Sequence, residues 1–282
     1  MLRAFIAMLL VTAVAGARAE AFDHWAWARL LRRFVADAPG SLSSEVDYAG
    51  LRAERPALAG YLEALAAVRR ERFDRWPAEE QLAFLINAYN AWTVDLVLSG
   101  PPGLDSIKDL GSLLRSPWKR SFIPLFGRTV SLDDIEHGMI RGSGRYRDPR
   151  IHFALNCASI GCPGLRQEPY TGARLDAQLE SAVQIFLRDR TRNRFEDGAL
   201  KVSALFQWYG EDFAAGWRGI GSLHAFLAHH AGALGLDAAT AARLARGEIR
   251  IEFLPYDWRL NRMRAAPPLS MHRSDDAAPL ER

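Results

Sequence analysis

The chain has 282 residues, 36 Lys+Arg against 33 Asp+Glu, 49% hydrophobic, 24% charged and 10% aromatic residues, and 2 Cys. These proportions exclude a disordered, collagen-like or disulfide-dense chain. Acidic and basic residues are interleaved and the net charge is only +3, so the clustered cationic surface that nucleic acid requires is missing.

Met1 to Ala19 carries Arg3, an apolar run from Ala4 to Val14 and the small-residue end Ala17-Arg18-Ala19. That is the pattern of a signal peptide, and its removal is expected to leave a periplasmic chain with net charge +1. No Cys lies near the cut, which argues against a lipid anchor. The apolar run is too short to span a bilayer, and no later stretch is read as a membrane span.

Phe22 to Ala36 reads as a first helix, broken at Ala38-Pro39-Gly40-Ser41. Glu45 to Tyr48 is a short extended or turn segment, and Leu58 to Val68 is a second helix. Pro77 opens the strongest helix, Ala78 to Ser99, which Gly100-Pro101-Pro102 ends. Its middle is apolar on all sides, which predicts a buried central helix. Trp118 to Val130 predicts a hairpin around Phe126-Gly127-Arg128, and Ser131-Leu132-Asp133-Asp134 resembles a capping box that starts a helix to about Arg141. Ile151 to Leu155 reads as a buried strand. Leu175 to Leu187, Ser222 to His230 and Ala238 to Ala245 read as helices, and Leu200 to Leu205 and Glu248 to Leu254 as strands. The order predicts one helix-rich α+β domain over residues 20–264 with a small mixed or antiparallel sheet, followed by a loose tail over 265–282.

The densest chemistry lies in His152-Phe153-Ala154-Leu155-Asn156-Cys157-Ala158-Ser159-Ile160-Gly161-Cys162. Four readings stand open. Cys157 and Cys162 form a local disulfide, as export favours. Cys157 is a nucleophile activated by a His. Cys157, Cys162, His152 and His137 hold a metal. Or the thiols are inert. A redox centre is disfavoured because the spacing is not Cys-x-x-Cys. Two bases compete. His152 shares a strand face with Asn156, so it reaches Cys157 only if the strand turns there. His137 follows Asp133 and Asp134 by four and three residues, so either carboxylate can orient it. Asn87 and Asn90 share one face of the central helix and need partners, either a polar pocket or a neighbouring loop backbone. Asp257, between Tyr256 and Trp258, either orients a His or pairs with an Arg. His24, His224, His229, His230 and His272 have no acidic company in the local sequence and are taken as structural.

Together these segments resemble a family known only as domain of unknown function 547 (DUF547). The stretches are Val46-Asp47-Tyr48, Ala83 to Ala91, Leu132 to His137, Asp148 to Pro163, Tyr170-Thr171 and Tyr256-Asp257-Trp258. Leu85 stands where the family often has Trp, and Gly164 where Pro is common. The resemblance implies that Asn87, Asn90, His137, His152, Cys157 and Cys162 occupy signature positions, and it suggests a papain-like arrangement with His before Cys. It implies no settled activity and no cofactor. The leading expectation is a cysteine-dependent hydrolase or acyltransferase with Cys157 as nucleophile, His137 or His152 as base, and Asn87 or Asn90 polarising a small-molecule or peptide substrate. The alternative is a non-enzymatic binding or assembly module whose loop a Cys157–Cys162 disulfide fixes.

Overall fold

The computed structural model describes residues 21–112 and 115–263. The leader-like segment 1–19 and the tail 265–282 lie outside the described residues.

The first helix, α1 (Trp25–Phe34), turns Trp27, Leu30, Leu31 and Phe34 inward. It ends earlier than its apolar pattern, because Val35 continues into β1 (Val35–Asp37), which pairs antiparallel with β2 (Ser44–Val46). Asp47 then caps α2 (Tyr48–Ala53) by accepting from the Gly50 N–H. A third helix, α3 (Arg55–Ala66), starts at a proline-containing first turn, and α4 (Arg70–Phe73) is a single turn. The central α5 (Ala78–Ser99) has the bounds that its flanking prolines and glycine predict. By length and composition it could cross a membrane, against the expectation that no later stretch could. Its most apolar window is 89% buried, however, which makes it a core helix of this fold.

The hairpin β3 (Ile123–Leu125) and β4 (Arg128–Val130) forms as expected. Phe126 and Gly127 both take positive φ, 53° and 74°, as a two-residue turn matched to strand twist requires. Ser131 and Asp134 then cap each other: the Asp134 N–H donates to Ser131 Oγ at 3.0 Å, and the Ser131 N–H donates to Asp134 Oδ2 at 2.8 Å. The helix that follows, Asp134–Arg141, is wound wider than an α-helix, with the Gly142 N–H bonding the His137 carbonyl five residues back. Such turns are frequent where side chains are displayed for function.

Ile151 to Leu155 is not a strand. Pro149–Phe153 forms a 3-10 helix whose first turn Asp148 caps through the Arg150 N–H. The Asp-Pro start signal overrode the apolar run, and the backbone bonds close locally, from Ala154 and Leu155 N–H to the Ile151 carbonyl.

The rest of the chain builds α6 (Leu175–Arg188), β5 (Arg194–Glu196) and β6 (Ala199–Ser203), then the short helices α7 (Leu205–Trp208) and α8 (Gly210–Phe213). Next come α9 (Leu223–His229), α10 (Ala231–Leu234), α11 (Ala238–Ala245) and β7 (Arg250–Leu254). Strand β6 pairs antiparallel with β5 and parallel with β7, giving the small mixed sheet. The fold is a single α+β domain with two apolar clusters. One surrounds α5. The other gathers Phe153, Phe186, Phe206, Phe213 and Phe226. Segment 149–163 runs along the seam: Ile151 and Leu155 belong to the first cluster and Phe153 to the second. Both apolar bodies therefore fix the chain on either side of His152.

Candidate functional site

At the end of that seam the backbone turns sharply. Ala158 is fully buried at φ 59°, a conformation an alanine rarely takes, and the Ala158 N–H is held by Asn156 Oδ1 at 3.0 Å. The turn presents Cys157 to a cleft and folds Cys162 beneath it. Both are free thiols, with Sγ atoms 2.8 Å apart, so the disulfide, one of the open readings, is not formed in this structure. The Cys157 N–H donates to Cys162 Sγ at 2.8 Å. Cys157 Sγ also meets Tyr256 OH at 3.0 Å and Ser159 Oγ at 3.3 Å.

These contacts divide the two thiols. The hydrogen bond between the two sulfurs pulls the Cys157 thiol below its ordinary range, and burial opposes it; the Ser159 and Tyr256 hydroxyls add to the lowering. Burial and the neighbouring Cys157 push Cys162 well above its ordinary range. Tyr256, raised by burial and by the two sulfurs, stays a protonated donor.

His152 is almost wholly buried and stacks on Tyr209 with ring centroids 3.8 Å apart. Its Nε2 meets Asp212 Oδ2 at 2.7 Å, which assigns the proton to Nε2 and leaves Nδ1 as the basic nitrogen. Burial drives this imidazole below its usual range, against the pull of Asp212, so the ring is neutral at neutral pH. Burial alone would raise Asp212, but hydrogen bonds from His152 and Arg141 outweigh it and hold the carboxyl far below the usual carboxylate range. His137 is more exposed. Its Nε2 lies 3.8 Å from Asp133, its Nδ1 lies 2.8 Å from Arg141 Nη1, and Asp134 is spent on Ser131. Neither imidazole hydrogen-bonds Cys157, but both line the same cleft of about 230 Å³.

Aromatic rings form much of the cleft wall. Trp118, Trp208, Tyr256 and Trp258 touch in one cluster, with centroids 4.5 to 5.8 Å apart. Helix α5 contributes Tyr89, whose hydroxyl has no partner among the described residues and which burial and the Glu136 charge keep protonated. Glu136 accepts from Tyr209 OH at 2.7 Å.

Residues 73–187 match the model of the family described as Protein of unknown function, DUF547. That segment belongs to DUF547. No curated protein and no solved structure matches the chain. The DUF547 segment includes both asparagines, both candidate histidines and both cysteines. Asp212, Tyr209 and Tyr256 lie beyond it.

Several candidate residues are placed elsewhere than a catalytic role requires. Asn87 donates to the Tyr170 carbonyl and to His24 Nε2 and accepts the Tyr170 N–H; Asn90 donates to the Ala154 carbonyl and accepts the Asn156 N–H. Their carboxamides are consumed by backbone, and neither lines the cleft. Of the two alternatives, the described contacts are those of the loop-backbone reading: Asn90 holds the backbone that leads into Cys157, and Asn87 holds the segment at Tyr170. Asp257 chelates Arg259 at 2.5 and 3.0 Å and orients no histidine. The metal alternative through Cys157, Cys162, His152 and His137 also fails on geometry: among the described residues no three such side chains gather with ligand spacing. His230, taken as structural for want of an acid, does face one, with Nε2 3.5 Å from Glu180. Sequence reading missed Asp212, Tyr209 and Glu136. The aromatic-rich Phe206 to Tyr209 followed by Glu211-Asp212, and the acid beside His137, were the available signals.

Proposed function

We propose that this protein is a cysteine-dependent acyl hydrolase or acyltransferase, with Cys157 as nucleophile and His152, oriented by Asp212, as base. The observation that carries the reading is the asymmetric thiol pair: Cys157 shares hydrogen bonds with Cys162, Ser159 and Tyr256 in a cleft also lined by His152, which Asp212 holds from behind. His152 does not touch the sulfur, so the thiolate is stabilised by neutral donors, with no imidazolium beside it.

In this mechanism the Cys157 thiolate, its proton already released to solvent, bonds to the acyl carbon, and the departing group takes a proton from water as the carbon–heteroatom bond breaks. Water, or a second acceptor, then attacks the thioester, with the neutral Nδ1 taking its proton. The acid or new acyl product leaves and Sγ regains a proton. Tyr89, on the same helix as Asn87 and Asn90, supplies the free hydroxyl donor to the oxyanion that the asparagines cannot. We place this activity after export, as the leader-like residues 1–19 lead one to expect. N-terminal sequencing of periplasmic protein checks it, and an intact Met1 end would refute it.

The test of the chemistry is iodoacetamide labelling of native protein with mass analysis before and after reduction. One fast thiol, at Cys157 and reactive below about pH 8.5, is expected. A quantitative Cys157–Cys162 disulfide in protein taken from its own compartment would sink the proposal.

A further inference from the structure

We infer that the cleft selects acyl substrates that carry a cationic nitrogen, a primary ammonium or a guanidinium, close to the reacting carbonyl. The inference rests on the acyl-transfer reading of the same cleft and names its substrate class.

The cleft lining contains two carboxylates, Asp133 and Glu136, and no Lys or Arg. The nearby cations are already engaged. Arg141 is bonded to Asp212 at 2.6 Å and to His137 and lies over the Tyr209 ring, while Lys108 lies over the Trp258 ring at 4.8 Å. An anionic substrate would therefore meet two carboxylates on a lining that holds no Lys or Arg to offset them.

Glu136 is the deeper acid, only 7% exposed. Its Oε1 accepts the Tyr209 hydroxyl, and its Oε2 has no partner among the described residues. Glu136 lines the cleft, and a charged N–H is the donor that bonds a carboxylate best. The ring cluster of Trp118, Trp208, Tyr256 and Trp258 offers faces that attract cations, as Lys108 on Trp258 already illustrates. A cation held there has a second consequence. The Glu136 charge opposes ionisation of Cys157, so a substrate cation that neutralises it favours the thiolate when the substrate is bound.

Binding can be read without chemistry in the full chain carrying Cys157→Ala. Calorimetry would compare Nα-acetyl-arginine amide with its neutral isostere Nα-acetyl-citrulline amide, with Nα-acetyl-glutamate amide, and with a neutral disaccharide. The arginine compound is expected to bind about tenfold or more tighter than the citrulline compound. Glu136→Gln, which keeps an acceptor for Tyr209, should remove most of that preference by bringing the arginine affinity down toward that of the citrulline compound. Thermal melting checks that it folds, and Asp133→Asn is the second variant should it not. Equal affinities, tighter binding of the acidic compound or the disaccharide, or a preference that survives both variants would overturn the inference. So would no binding of the arginine compound up to about 10 mM. Iodoacetamide labelling of Cys157 uses no cationic ligand, so failure of the nucleophile reading and failure of the substrate class are separately visible.

Discussion

Tyr256→Phe removes one hydroxyl from the Cys157 sulfur and keeps the ring that packs on Trp208 and Trp258. The hydroxyl lies 3.0 Å from Sγ. A hydrogen bond to a charged group is worth about 1.5–3 kcal/mol. At about 1.4 kcal/mol per pH unit, its loss should raise the ionisation midpoint of Cys157 by about one to two units. Ser159→Ala should act in the same direction but less, since its Oγ lies farther away, at 3.3 Å. The two hydroxyls also bond each other at 3.0 Å, so the double variant should fall short of the sum. The assay is the rate of iodoacetamide labelling at Cys157 from about pH 5 to about pH 10. The plateau rate should hold or rise slightly, because a more basic thiolate is the stronger nucleophile. Cys162, buried and pushed up by burial, should label far more slowly throughout. Unchanged midpoints in both single variants and the double would refute the claim that neutral donors prepare this thiolate.

Asp212→Asn takes a charged acceptor from His152 at 2.7 Å; the imidazole midpoint, followed by NMR, should move further down, and a midpoint that stays or rises would contradict the pairing. His24, held between Tyr61 and Asn87, is pushed down to about 4 by burial. The unfolded chain therefore takes up that proton first, so stability is full above about pH 6.5 and falls as pH drops toward 4, by up to about 3 kcal/mol. Urea unfolding at several pH values should show a shallower acid loss in His24→Gln, and identical slopes would dispose of this assignment. Asn90→Ala strands the Ala154 carbonyl and the Asn156 N–H, at a cost of about 2–4 kcal/mol in the same unfolding assay; a loss below about 1 kcal/mol would mean that the loop finds other partners.

The local architecture was legible because its causes are local. Pro77 and Gly100 bracket α5, Ser131 and Asp134 cap each other across three residues, and Phe126-Gly127 turns the hairpin. The misread strand at Ile151 to Leu155 is instructive, since the start signal Asp148-Pro149 was present and was outvoted by an apolar run. The asparagines were a middle case. Their burial on α5 announced a need for partners, but only the packed chain showed that backbone at 154–156 and 170 meets it. The site itself is non-local. Asp212 lies 60 residues from His152, Tyr209 73 from Glu136, and Tyr256 99 from Cys157. The sequence by itself determined the helices, the hairpin and the presence of two cysteines on one loop, because capping, turn chemistry and apolar period act over a few residues. Only the packing of two apolar clusters on either side of segment 149–163 decided which acid meets which base, and which hydroxyls meet the sulfur.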